Sequence, residues 1–141
     1  MAKKRIGRIK LQLKGGEVPQ SIIAPIFGSK GLSQHMMAFG KDFCEKTKDE
    51  RGRLLSVTVC YYDDKTIDYV IKKETVVSAL KRAATIVKGS GVPNQNKVGE
   101  ISSDALKKIA EEKISDLNAY DVEAAKKIIA GTARSIGLKI V

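Results

Sequence analysis

The spacing of apolar residues changes near Lys73: strand-like alternation dominates before it, and a helical repeat of 3.6 dominates after it. Ile9-Lys10-Leu11-Gln12-Leu13-Lys14 alternates as a half-buried strand does. Leu55–Tyr62 alternates again, with Val57, Val59 and Tyr61 set against Ser56, Thr58 and Cys60. Thr66–Lys72 repeats the pattern through Ile67, Tyr69 and Ile71, and Asp63-Asp64-Lys65 between these two runs reads as a turn. The expected fold is therefore α+β in two small domains. Residues 1–72 form an N-terminal three-stranded antiparallel sheet with one or two helices, and residues 73–141 a C-terminal three-helix bundle with a long loop.

Gly15–Gly31 holds four glycines and two prolines and reads as a long loop around a short apolar turn. Its cluster Ile22, Ile23, Ile26 and Phe27 is expected to be partly buried, with the loop backbone facing outward. Gln34 to Lys48 fits an amphipathic helix through Met37, Phe39, Phe43, Cys44 and Thr47. In the second half, Thr75 can cap a helix running to Val87, with Val76, Val77, Leu80, Ala84 and Val87 inward. Ser102 can cap the next, with Ile101 and Leu106 placed as a hydrophobic staple and Leu106, Ile109, Ala110 and Ile114 inward. Asn118 can cap the third, in which Val122, Ala125, Ile128, Ile129, Ala133 and Ile136 share a face and Gly137 ends the helix. Lys127, Gly131 and Arg134 then fall on the opposite face.

A net charge of +10 on 141 residues favours a polyanionic partner bound in a salt-dependent way. Residues 1–14 carry six bases and no acid, whereas Val98–Val141 carries seven of each sign. The C-terminal helices are thus no plain basic patch, and RNA would be held there by shape and a few placed groups. Cys44 and Cys60, sixteen positions apart, with one histidine in the chain, cannot assemble a zinc site, so no metal or cofactor is expected. No apolar run approaches a membrane span, and the basic start lacks the hydrophobic segment of a signal peptide. An intracellular protein without a membrane partner is expected.

Catalysis finds little support. His35 has no fixed acidic or nucleophilic partner nearby in sequence and suits a surface or packing role, and Asp63-Asp64 reads as turn chemistry. Tyr61 and Tyr69 suit cross-strand core partners better than a base-stacking platform. KGSG at Lys88 does not match a phosphate-loop motif, and no strand precedes it. The loop Lys88–Gly99 and the segment Ala130–Gly137 are the stronger candidates for RNA docking. Lys88, Lys97 and Lys127 supply charge, and Gly89, Ser90, Gly91, Asn94 and Asn96 supply amides and backbone groups. Gly131 offers close approach, Thr132 and Ser135 hydroxyls, and Arg134 a forked donor. A DNA-binding regulator is the alternative, since a basic three-helix domain can present a recognition helix. Gly-Thr-Ala on the edge of the third helix, in place of long base-reading side chains, weighs against it.

KGSGVPNQNKVGEIS and ISDLNAYDVEAAKKIIAGTARSIGL resemble the C-terminal domain of the bacterial-type eleventh protein of the large ribosomal subunit, the stalk-base protein. RIKLQL, Pro19, Pro25, FCEKT and YYDDKTIDYVIK resemble its N-terminal domain, so the likeness covers nearly the whole chain. Three places depart from the family pattern. Gln20–Ala24 lacks the further prolines, the helix entry GSKGLSQHMMAF is about two residues longer, and Glu74-Thr75 replaces a Pro-Pro pair at the domain junction. The first two changes weaken any thiazole-antibiotic binding carried over from the family, and the third leads us to expect a more mobile junction.

The resemblance implies a non-enzymatic, rRNA-binding constituent of the large subunit at the GTPase-associated centre. It implies a factor-proximal loop holding Pro19, Ser21, Ile22, Pro25 and Gly28. Implied partners are large-subunit rRNA, stalk ribosomal proteins, translational GTPases and release factors, and a stringent-response synthetase. The implied location is a ribosome, cytoplasmic or organellar, and methylation is a further expectation.

Overall fold

The structure is a computed structural model that describes residues 2–141. The chain divides into two compact units, one ending at Lys72 and one running from Lys73 to Val141.

In the first unit, β1 (Arg5–Lys14), β2 (Leu54–Tyr62) and β3 (Ile67–Glu74, ending just past the unit boundary) form a sheet in the order β1-β2-β3. Leu11 lies opposite Val57 and Leu13 opposite Leu55 in an antiparallel ladder. Lys65 closes the β2–β3 hairpin at φ 62, with its amide donating to the Tyr62 carbonyl. Two helices, α1 (Gln20–Ser29) and α2 (Met36–Lys46), complete the unit. The inner sheet face and these helices bury Leu11, Leu13, Leu55, Val57, Val59, Ile23, Phe27, Phe39 and Phe43 in one core. Each such side chain is worth about 1.5–3 kcal/mol of burial. Tyr69 meets Phe39 edge-on at 5.0 Å, and Tyr61 packs on the same core, as the cross-strand reading expects.

α1 corrects the loop expected over Gly15–Gly31. Ile23 and Phe27, four apart, are fully buried and hold a helical turn together in spite of Pro25 inside it. The helix thus outcompetes the local breaker signals through tertiary burial. α2 begins at Met36, later than expected, after a 3-10 turn over Ser33–His35, and Met37 is exposed instead of inward. Thr47 ends this helix as the one buried polar residue among those described. Its hydroxyl donates to the Phe43 carbonyl and accepts from the Gly16 amide. His35 Nε2 lies 2.6 Å from the Lys65 carbonyl, a packing role that ties the turn to the hairpin. Both cysteines are free and half-buried.

The second unit holds α3 (Val76–Ala83), α4 (Ser103–Lys113) and α5 (Val122–Ile136) around a core of Leu80, Leu106, Ile109, Ala110, Ala125, Ile129, Ala133 and Ile136. It is not a plain bundle. β4 (Gly99–Ile101) and β5 (Leu138–Ile140) pair in parallel, Gly99 with Leu138 and Ile101 with Ile140. Thr75 and Ser102 cap their helices through the Ser78 and Ala105 amides. The expected extension of α3 to Val87 fails: Thr85 turns to φ 55, and Val87 is 96% exposed. The cap of α5 is Asp121, not Asn118, accepting from the Ala124 amide at 2.7 Å. No helix among the described residues is long and apolar enough to cross a membrane.

Candidate nucleic-acid interface

α5 faces the core along Ala125, Ile129, Ala133 and Ile136, which turns Lys127, Gly131 and Arg134 to solvent. Ile128, expected inward, is 44% exposed and joins this outer ridge between Lys127 and Gly131. Nothing lies within 4 Å of where a Gly131 side chain would begin, so the ridge is open at that point. Thr132 donates its hydroxyl to the Ile128 carbonyl at 3.4 Å, and Ser135 donates to the Thr132 carbonyl at 2.6 Å. Both hydroxyl protons are thus used inside the helix. Toward an incoming RNA these oxygens are acceptors, suited to a 2′-hydroxyl more than to a phosphate.

Gly137 ends α5 at φ 94, with its amide bonded back to the carbonyls of Ala133 and Arg134. The loop of Lys88–Val98 closes on that end. The Ser90 amide donates to the Ile136 carbonyl at 2.8 Å, and the Val98 amide donates to the Gly137 carbonyl at 2.9 Å. A side chain on Gly137 would meet Ser90 Cβ at 2.7 Å, and one on Gly89 would meet Ile136 Cγ2 at 3.0 Å. The left-handed φ and the close approach require glycine at Gly137, while a side chain at Gly89 would need Ile136 to give by a few tenths of an ångström. β4 follows the loop directly and pairs with β5, which follows Gly137, so the loop base is clamped twice.

Inside the loop, the Val92 carbonyl accepts from the Gln95 and Asn96 amides, forming a tight turn. Ser90 Oγ accepts from the Val92 amide at 3.1 Å, which leaves its proton free to donate outward. Lys97 Nζ donates to the Pro93 carbonyl at 2.7 Å, and the ammonium keeps two further donors. Lys88, Gly91, Asn94, Asn96 and Lys97 are exposed, while Gly89 and Ser90 are half-buried against α5. The segment holds two lysines and no acid. Loop and α5 terminus therefore make one surface of amides, hydroxyls and cations around a small-residue ridge. That chemistry suits the phosphate, ribose and base-edge groups of a folded RNA. The backbone bonds that join the two segments have no side-chain signature, so the residue types point to the candidates but not to their junction.

The expected factor-proximal residues sit on α1 instead of a loop. Pro19 is its half-buried N-cap, and Ser21, Ile22, Pro25 and Gly28 are exposed along one side of the helix. No group of three metal-binding side chains occurs among the described residues.

Comparisons with known proteins fit this architecture. Residues 72–140 match the family model described as ribosomal protein L11, RNA binding domain, and residues 9–67 match that of ribosomal protein L11, N-terminal domain. The chain is 47% identical over 141 residues to the large ribosomal subunit protein uL11 of Amoebophilus asiaticus, covering 99% of both chains. It is 45% identical to the protein of the same name from Parabacteroides distasonis, covering 99% of this chain and 95% of that one. Against the one from Porphyromonas gingivalis it is 43% identical, covering 99% and 96%.

Proposed function

The chain belongs to the ribosomal protein L11 family, and from that premise we propose that it is a structural constituent of the large ribosomal subunit that binds rRNA through its second unit. The rRNA-docking surface is the Lys88–Val98 loop with Lys127, Gly131, Thr132, Arg134 and Ser135 of α5. The observation that carries this reading is the closure of the loop on Ile136 and Gly137, which assembles into one surface two sequence-distant segments, Lys88–Val98 and Lys127–Ser135, neither of which holds an acid. The expected RNA target is the folded junction of the GTPase-associated centre, at the base of the stalk.

The first unit supports translation factors and carries out no reaction of its own. Its exposed α1 side, with Ser21, Ile22, Pro25 and Gly28, is the surface we assign to translational GTPases and release factors. Stalk proteins and a stringent-response synthetase are the further partners of this reading, and the ribosome in the cytoplasm is its location. Co-sedimentation with large subunits tests it, together with affinities for the folded rRNA junction and for duplex DNA at matched salt. Preference for the junction is expected. Equal or tighter binding to duplex DNA contradicts it and favours the DNA-regulator reading.

A further inference from the structure

The outward face of β1 carries a row of cations that neither the core nor the surface described above uses. Arg8, Lys10 and Lys14 alternate with Ile9, Leu11 and Leu13, so the register that buries the apolar set turns the cations to solvent. All three are exposed, and among the described residues none is paired with a carboxylate. Residues two apart on a strand stand ~6.7 Å from each other. That step is comparable with the separation of successive phosphates along a ribose–phosphate strand. Gln12 fills the position between Lys10 and Lys14, and is exposed as well.

The neighbouring strand keeps the row accessible. Thr58 lies opposite Lys10 and Ser56 opposite Gln12, small hydroxyl residues that raise no wall beside the cations. At the Lys14 end, the Gly15 amide donates to the Arg53 carbonyl at 2.8 Å and brings two exposed arginines, Arg51 and Arg53, to the end of the row. Asp68 shares the outer face but stands on β3, two strands away, where it faces the Tyr62 hydroxyl. Charges on an edge strand also discourage strand-to-strand association. One or two charges of either sign suffice for that, whereas here the first 14 residues hold six bases and no acid.

We propose that the outer face of β1 is a second nucleic-acid footing, on which Arg8 and Lys10 take successive phosphates of one strand of large-subunit rRNA and Lys14, beyond Gln12, takes the next but one. With no aromatic side chain in the row, the contact reads backbone and not base identity. The inference rests on the reading that the chain works on rRNA, but it uses no residue of the second unit.

The test uses the full chain and protein-free large-subunit rRNA, with binding constants measured across a salt series. Arg8→Gln, Lys10→Gln and Lys14→Gln are combined in one variant. A control combines Lys41→Gln, Lys48→Gln and Lys65→Gln, which removes the same charge elsewhere in the first unit. The strand variant should flatten the slope of log K against log salt by about 2–3, and the control by less than about 1, since each phosphate contact contributes about 0.7–0.9. Equal loss from both variants, or none from either, overturns the proposal. A photo-crosslinker at Gln12 in the otherwise unchanged chain decides the matter even if the triple variant fails to fold. An adduct with rRNA in whole subunits supports the footing, and an adduct confined to an acidic protein overturns it. Should Arg134→Ala weaken binding while the strand variant binds normally, the second footing alone fails. If the unaltered chain ignores the rRNA, the proposed function fails with it.

Discussion

The Ser90 amide donates to the Ile136 carbonyl at 2.8 Å, fastening the start of the Lys88–Val98 loop to the last residue of α5. The Val98 amide fastens its other end to the next residue, Gly137. Gly137→Ala strikes both bonds at once. It forces a side chain into a left-handed conformation and sets its Cβ 2.7 Å from that of Ser90. A loss of about 1–3 kcal/mol is expected. Urea unfolding measures it, and faster amide exchange at Ser90 and Val98 should accompany it.

Arg134 is exposed on the ridge and bears on no core contact. Arg134→Ala should leave stability unchanged and weaken rRNA binding by about 1–3 kcal/mol, the cost of losing a good side-chain contact. Dissociation constants at one fixed salt concentration check both halves of that expectation, and an unchanged value removes Arg134 from the surface.

Thr47 joins the end of α2 to the chain after β1 through one hydroxyl, bonded to the Phe43 carbonyl at 2.6 Å and the Gly16 amide at 2.9 Å. Thr47→Val keeps the shape and strands the Gly16 donor, for a cost of about 1–3 kcal/mol. Denaturation of the variant, read at first-unit signals, measures it.

Asp64 holds the N-terminal segment on the β2–β3 turn. The Lys3 ammonium bonds it at 2.8 Å and the Thr66 hydroxyl at 2.5 Å, which lowers its carboxyl to about 2. A carboxyl whose folded value lies below its unfolded one stabilises above the unfolded value, about 3.9 for aspartate. That contribution fades as pH falls toward about 2. Carbon-detected titration of Asp64 should find its midpoint in that low range, and Lys3→Ala should raise it. A midpoint near 4 in the unaltered chain contradicts the pairing.

Periodicity made most of the fold legible. The alternation around Val57 and Val59, the caps at Thr75 and Ser102, and the stop at Gly137 are local signals that tertiary packing reinforces. α1 was hidden because two prolines and several glycines outweigh Ile23 and Phe27 in any local reading, and only burial against the sheet restores the helix. Asn118 and Asp121 are both good caps three residues apart, and the choice between them depends on where the chain enters α5. β4 and β5, three residues each, are too short to show a period. For the candidate site the residue types were legible, while the joining of loop to helix through Ile136 and Gly137 was not, since main-chain atoms make it.

The most direct measurement maps amide shifts of the full chain on addition of the folded rRNA junction. Changes concentrated in Lys88–Val98 and in α5 from Lys127 to Ser135 are the expected result. Changes centred on the exposed side of α4, at Lys107, Lys108 and Glu111, with loop and ridge undisturbed, contradict it.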